Sequence, residues 1–235
     1  ARNLSASEII DQVIHFRDRF ARRVTNVVFM GMGEPLLNLP EVSRALRFMN
    51  EQLGIGRHHI TISTVGIYNG LPKLADQNLG CGLAVSLHAP NQALREQIIP
   101  SARTLPLETL MEDCMIFRRL TNCKVTFEYT LLAGVNDRKE HAEELAHLLG
   151  KYGLKHHVNL IPWNKVEGLD YKRPSRNAVF VFQKILTDHD VPCTIRETRG
   201  LEASAACGQL RNDFVKAPLK TGRGGRRGEE EEEIG

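Results

Sequence analysis

The sequence predicts an α/β protein, a partial TIM-like (β/α)6 barrel, and three observations support this. Short apolar segments of strand length alternate with amphipathic helical segments along the 235 residues. Strands that are separated by helices pair in parallel through right-handed crossovers. Polar residues and glycines follow the strands, at the edge where ligands bind in barrels and in doubly wound sheets. One site supplied by every strand favours the barrel.

The first half of the chain predicts three strands and three helices. Ser5 and Glu8 have the spacing of a capping box, and apolar residues at helical spacing follow them. A second apolar stripe begins at Val42, and a short helix is predicted over residues 71–76. The strands of this half are predicted at residues 26–30, 60–64 and 83–87.

The second half repeats the pattern. Pro106 suits the first position of a helix whose apolar stripe starts at Leu107. Asp137 and Glu140 predict the cap of the next helix, and Gly150 predicts its C-terminal end. The remaining predicted elements are a helix over 178–186 and strands at 124–132, 157–161 and 192–196.

Composition excludes several classes of protein. With 42% hydrophobic and 25% charged residues the chain is typical of a globular protein, and no apolar run approaches the roughly 20 residues of a membrane helix. The scattered cysteines indicate a reducing compartment: Cys81, Cys114, Cys123, Cys193 and Cys207. Local basic clusters suit either a nucleic-acid partner or solvated helix faces. We expect an ordered part over 1–214 and a disordered, low-complexity tail over 215–235.

Two predicted strand ends carry candidate ligand-binding residues. Gly33 and Glu34 follow the first strand; a glycine lets a ligand approach the main chain, and the carboxylate could accept a hydrogen bond from an ammonium group. The alternative is a simple tight turn. Ser86, Leu87 and His88 end the third strand, and the imidazole is either a general base or a hydrogen-bonded core histidine.

The last two strands add further candidates. Asn164 could donate to and accept from a nucleoside, with Trp163 as a stacking surface or a core residue. Glu128 lies mid-strand in a polar layer, where a buried carboxylate needs partners, and we expect a structural role. Cys207 stands between Ala206 and Gly208, which offer no packing shell, so we expect a reactive thiol there.

The motifs together identify a family. In their order the chain resembles the radical S-adenosylmethionine adenine-C2 methyltransferases of ribosomal and transfer RNA, the RlmN/Cfr family, over residues 2–214. One departure is Val65, where a small hydroxyl residue is expected. The motifs that carry the resemblance are GMGEPLLN, ITISTVG, SLHAPN, FEYTLLAGVND, NLIPWN and ETRG followed by AACGQL.

The resemblance implies a mechanism and its cofactors. The cofactors are S-adenosylmethionine and a [4Fe–4S] cluster, and Cys207 would be the catalytic residue that carries the methyl group. The family holds its cluster with a Cys-x3-Cys-x2-Cys loop, a spacing that this sequence lacks, so no metal ligand is assigned. The residues implied to bind S-adenosylmethionine are Gly33, Glu34, Ser63, Ser86, Leu87, His88 and Asn164.

The resemblance also sets expectations for the whole protein. We expect a fragment whose barrel is incomplete at its N-terminus, with the first strand, the cluster loop and an RNA-recognition domain upstream, and no turnover by this chain alone. The expected partners are ribosomal RNA, with transfer RNA as an additional substrate, and an electron donor such as flavodoxin or ferredoxin. We expect a monomer without membrane contact, in the cytoplasm or in an organelle stroma or matrix.

Two other functions stay open from the sequence. One is a non-catalytic remnant that binds S-adenosylmethionine or RNA, which would share every motif quoted above. The other is a cluster-free (β/α) barrel lyase, which would need a lysine at a strand end for a Schiff base, and Lys165 has that position.

Overall fold

A six-stranded parallel sheet with the strand order β1-β2-β3-β4-β5-β6 forms the framework of the protein. The computed structural model describes residues 2–30, 33–154, 156–164 and 168–196. Each strand pairs with the next along the chain, as in a barrel that is open between its first and last strands, which confirms the predicted α/β class and partial barrel. The strands are β1 (Val27–Phe29), β2 (Ile60–Thr64), β3 (Gly82–Ser86), β4 (Val125–Leu131), β5 (His156–Pro162) and β6 (Cys193–Ile195).

Helices connect all the strands, because parallel neighbours need a crossover. Six of the helices fall on apolar stripes that the sequence shows, whereas α4 and three 3₁₀ turns (Pro35–Asn38, Arg57–His59 and Pro100–Thr104) were not predicted. The helices are α1 (Ala6–Phe20), α2 (Leu39–Glu51), α3 (Gly70–Asp76), α4 (Gln92–Ile98), α5 (Leu107–Thr121), α6 (Lys139–Tyr152) and α7 (Arg176–Asp188). None of the helices in the described residues is long and apolar enough to cross a membrane.

Two predicted helix starts lie close to their observed positions. The capping box at α1 is confirmed, since Ser5 Oγ accepts from the Glu8 amide and the Glu8 carboxylate accepts from the Ser5 amide. Pro106 is the N-cap of α5 rather than its first residue, and the helix begins at Leu107. Proline still suits this position, because it has no amide hydrogen that would be left without a partner.

The predicted ends of α6 were wrong. Asp137 does not cap the helix: its carboxylate accepts from the amide of Gly134, 2.8 Å away, and closes the preceding turn, while Arg138 is the N-cap. Gly150 lies inside α6, and Gly153 ends the helix with a φ of 56°. A helix commonly ends at the glycine that takes the left-handed conformation, and pattern alone did not distinguish between two glycines so close together.

The two faces of the sheet have different chemistry. Alternate strand residues such as Leu83, Val85 and Phe127 are fully or almost fully buried in the hydrophobic core formed with the helices. The residues between them point to the opposite face, which we call the inner face. There Ser86 lies beside Glu128 in the strand register. The inner face is therefore polar, as the sequence predicted for the layer that contains Glu128.

Candidate functional site

Glu34 joins the loop after β1 to the loop after β2. Its carboxylate accepts from the amide of Leu36 through Oε1 and from the amide of Val65 through Oε2, each at 3.0 Å. The contact at position 65 uses the main chain, so the valine side chain does not affect it. Each carboxylate oxygen can accept a second hydrogen bond, so Glu34 can hold the loops and still receive a ligand donor.

Gly33 offers an open stretch of main chain beside Glu34. Its φ of +95° lies in a region that residues with a side chain rarely adopt. A Cβ built on Gly33 would meet no atom of the described residues within 4 Å. The described residues therefore leave space beside the main chain at Gly33, and the binding of a ligand there stays a prediction.

His88 is a hydrogen-bonded histidine at the carboxyl edge of the sheet. Its Nδ1 accepts from the amide of Thr130 at 3.0 Å, so the proton of the neutral ring is on Nε2. Burial lowers the pKa of His88 to about 4, and the positive charge of Arg95 contributes in the same direction. The imidazole is therefore neutral near pH 7 and a weak base. Of the two roles left open by the sequence, this favours the structural one.

Asn136 connects the loop after β3 to the end of β4 at the same edge. Its Nδ2 donates to the carbonyls of His88, 2.8 Å away, and Thr130, 2.7 Å away, and its Oδ1 accepts from the amide of Leu132 at 2.7 Å. The hydroxyl of Tyr129 donates to the Asn136 carbonyl at 3.0 Å. The side chain is fully buried, so all of its hydrogen-bonding groups are used within the protein.

Ser63, Ser86 and Leu87 of the predicted site differ in which of their groups a ligand can contact. Ser63 on β2 is 8% exposed, and Ser86 ends β3 on the inner face. Leu87 is fully buried in the hydrophobic core, and its amide donates to the carbonyl of Glu128 at 3.0 Å. A ligand can therefore contact the Ser86 hydroxyl, whereas at Leu87 it can contact only the main chain.

A chain of polar contacts crosses β4, β5 and β6 on the inner face. Glu128 accepts from Asn159 at 2.9 Å through one oxygen, and its other oxygen lies 3.6 Å from the guanidinium of Arg196. Thr194 donates to Asn159 at 3.1 Å and lies 2.9 Å from Nε2 of His157. Glu128 thus has one hydrogen-bonded oxygen, while its buried Oε2 has no hydrogen bond within the described residues and only the ionic contact with Arg196.

Arg173 holds the end of β5 and the residues that follow it. It donates to Oδ1 of Asn164 and to the carbonyl of Trp163, the second at 3.2 Å. The Trp163 amide donates to the Leu131 carbonyl at 3.1 Å, and its ring meets the Tyr171 ring edge-on, with centroids 5.6 Å apart. Asn164 therefore follows directly from a fixed strand end, at the same edge as the other candidate residues.

The cysteines in the described residues do not supply a metal centre. Cys81 and Cys114 are buried, and burial raises the pKa of Cys81 to about 12 and that of Cys114 higher still, so these thiols stay protonated. No group of three or more histidine, cysteine, aspartate or glutamate residues could hold a metal within the part of the chain that the structure describes. These residues do not fit a [4Fe–4S] cluster. Cys207 and Lys165 lie outside the described residues.

Curated relatives resemble the chain closely over most of its length. It is 53% identical over 210 residues to a probable dual-specificity RNA methyltransferase RlmN from Synechocystis, covering 89% of this chain and 59% of that protein. A relative from Gloeobacter violaceus with the same description is also 53% identical, over 90% of this chain and 60% of its own length. The chain thus spans about 60% of the length of these relatives.

Solved structures share the fold. A radical SAM methyltransferase from Sphaerobacter thermophilus superimposes with a TM-score of 0.84 at 43% identity, covering 89% of this chain and 62% of that one. A domain of a pyruvate-formate lyase-activating enzyme from Bacteroides vulgatus, at 20% identity and a TM-score of 0.58, supports the fold alone. The profile of the radical SAM superfamily matches residues 1–149 of the 235. With more than half of its length matched and the predicted partial barrel observed, the chain belongs to the radical SAM superfamily.

Proposed function

We propose that this chain carries the S-adenosylmethionine site of an enzyme that methylates C2 of adenine in ribosomal RNA, with transfer RNA as an additional substrate. The observation that carries the proposal is the identity to proteins described as dual-specificity RNA methyltransferases over about nine-tenths of the chain. The open main chain at Gly33 supports it independently, because it provides the close approach that a nucleoside–amino-acid ligand needs.

Radical SAM enzymes use S-adenosylmethionine and a [4Fe–4S] cluster to generate a carbon radical, which can attack a carbon that polar methyl transfer does not reach. The residues of this chain would bind and orient the nucleoside and its amino-acid part. Gly33 and Glu34 face the ligand at β1, Ser63 and Ser86 present hydroxyls at β2 and β3, and Asn164 closes the edge at β5. His88 positions its loop through Thr130 and remains neutral, so no proton transfer is assigned to it.

Cys207 is the proposed catalytic residue. A thiolate can accept a methyl group from S-adenosylmethionine, with formation of a carbon–sulfur bond on the cysteine and loss of the methyl from the sulfonium. The four cysteines in the described residues are free, and two of them are held in the core as protonated thiols. The role is assigned to the cysteine in the AACGQL motif because the family resemblance places the methyl-carrying cysteine there.

The partners and the compartment are part of the same proposal. A one-electron donor such as flavodoxin or ferredoxin would supply the electron that reductive cleavage of S-adenosylmethionine requires. Free thiols suit the reducing cytoplasm or an organelle stroma or matrix, and we expect a monomer. Co-purification with a flavodoxin or ferredoxin, fractionation of cells and size-exclusion chromatography with light scattering would test these three points.

The first experiment tests the methyl-carrying cysteine. The full-length product of the gene is purified anaerobically with its cluster, incubated with S-adenosylmethionine and an RNA fragment, and analysed by mass spectrometry. We expect a methylated Cys207 peptide and 2-methyladenosine in the RNA. Cys207→Ala should abolish both products, whereas Cys193→Ala should leave them unchanged. Binding of S-adenosylmethionine without methylation of protein or RNA would support a non-catalytic remnant instead.

The second experiment tests the ligand site with a matched pair of glycines. Gly33 and Gly134 both have a positive φ, of 95° and 74°, and open space where a Cβ would lie. Alanine costs about 1 kcal/mol of backbone strain at Gly134 and more at Gly33, because a φ of 95° lies further from the left-handed region that residues with a side chain can adopt. We expect Gly33→Ala to weaken S-adenosylmethionine binding by ~10-fold or more, the equivalent of one lost close contact, and Gly134→Ala to have no effect. Equal affinities of the two variants would show that the ligand does not approach Gly33.

A further inference from the structure

Arg95 is a fully buried arginine next to the candidate site. It lies in α4 and has 0% exposure, which is rare for a charged side chain unless it is paired. No carboxylate forms an ion pair with it within the described residues. Instead, its Nη2 donates to the carbonyl of Val65 at 2.6 Å and approaches the carbonyl of Ser86 at 3.4 Å.

These two carbonyls belong to the loops that form the site. Val65 follows β2, and its amide is the group that donates to Glu34. Ser86 ends β3 and begins the segment that contains His88. A continuous series of contacts therefore runs from Glu34 through Val65 and Arg95 to Ser86, and it ties together the ends of three neighbouring strands.

The burial of this guanidinium is costly. Burial lowers the pKa of Arg95 to about 10, which still leaves the side chain charged near pH 7. Its Nε and Nη1 atoms are buried without a hydrogen-bond partner in the described part of the chain. Buried, unpaired donors destabilise a fold, and a well-packed apolar side chain would avoid that cost. The compensating interaction in this structure is the contact of Nη2 with the two carbonyls.

We propose that Arg95 is a positioning residue of the cofactor site: through its contacts with the carbonyls of Val65 and Ser86 it fixes the ends of β2 and β3 at the separation that S-adenosylmethionine requires. The inference rests on the proposed function, because it assumes that this edge binds that ligand. In this proposal Arg95 acts through the carbonyls of Val65 and Ser86.

The test compares three arginine variants of the full-length protein with its cluster. Arg95→Gln removes the charge and shortens the reach, whereas Arg95→Lys keeps a charged donor that can reach a carbonyl. Arg47→Gln is the control, because Arg47 also donates from Nη2 to a main-chain carbonyl, that of Gln77 at 3.3 Å, but on the exposed face of α2. The measurements are hydrogen–deuterium exchange by segment and the dissociation constant for S-adenosylmethionine.

We expect Arg95→Gln to speed exchange ~10-fold in residues 63–68 and 84–90, the effect of losing one charge-assisted hydrogen bond, without a change in α6. Its affinity for S-adenosylmethionine should fall ~10-fold by the same reasoning. Arg95→Lys should restore most of both properties, and Arg47→Gln should match the wild type. This local pattern, with rescue by lysine, would distinguish positioning from a general contribution to stability.

Three results would overturn the proposal. One is exchange that rises equally in all segments of Arg95→Gln, and another is unchanged exchange at both loops. If Arg95→Gln does not fold, Arg95→Lys becomes the test of the proposal. The third contradicting result is then a lysine variant that folds with wild-type stability but has lost its affinity for S-adenosylmethionine. If the wild-type protein does not bind S-adenosylmethionine, the proposed function fails, while the exchange pattern still shows whether Arg95 holds the two loops.

Discussion

Replacement of Glu34 by glutamine tests whether its carboxylate joins the loops after β1 and β2. Glutamine can accept one of the two amide hydrogen bonds through its oxygen, but its NH2 group would face the other amide. The variant therefore loses one charge-assisted hydrogen bond of 3.0 Å, worth about 1.5–3 kcal/mol. Because Glu34 is only half-buried, we expect a loss in the lower half of that range.

The assay is urea unfolding of the 235-residue chain, followed by circular dichroism, together with thermal unfolding. A loss of about 2 kcal/mol corresponds to a fall in Tm of about 4–8 °C for a domain of this size. The control is Glu108→Gln, which removes a charge from a side chain that is 77% exposed, and it should change the free energy of unfolding by less than about 0.5 kcal/mol. Equal stabilities of the two variants would refute the role of Glu34 as a link between loops.

Two further predictions concern the edge of the sheet beyond Glu34. Asn136→Asp should lower the free energy of unfolding by about 3 kcal/mol or more in urea, because two donated hydrogen bonds become contacts between a carboxyl group and carbonyl oxygens; a loss under about 1 kcal/mol would contradict this. His88 has an ordinary pKa of 6.5 when unfolded and about 4 when folded, so its contribution to stability is complete above pH 6.5 and is lost progressively as the pH falls towards 4. His88→Asn keeps an acceptor for Thr130 and tolerates the φ of 58°, and urea unfolding should therefore show a smaller loss of stability between pH 6.5 and 4 than in the wild type; equal losses would contradict the lowered pKa.

The strands could be predicted closely because their signal is local. All six predicted strands lie within one residue of the observed bounds. Buried strands of a parallel sheet are short apolar runs between turn residues, so each is recognisable without knowledge of its neighbours. The helix ends were predicted less well, because Asp137 and Gly150 have the right residue type but their neighbours take the capping positions.

The partners of the polar residues could not be predicted in the same way. Glu34 was expected to accept from a ligand, which stays a prediction, and its two main-chain partners were not foreseen; one of them belongs to a residue 31 positions away. Arg95 looks like a surface residue in the sequence, since arginine is rarely buried and α4 was not predicted. Both roles depend on which loops the fold brings together, and a single sequence has no local signal for that.

The contacts at the carboxyl edge follow one principle. Neighbouring loops are joined in turn: β1 to β2 by Glu34, β2 to β3 by Arg95, β3 to β4 by His88 and β4 to β5 by the amide of Trp163. Loops held by their neighbours lose little further freedom when a ligand binds, which lowers the entropic cost of binding. Much of their hydrogen-bonding capacity is already used within the protein. Recognition must then depend on groups that the scaffold leaves open, such as the main chain at Gly33, and this is why a single methyl group there should affect binding more than folding.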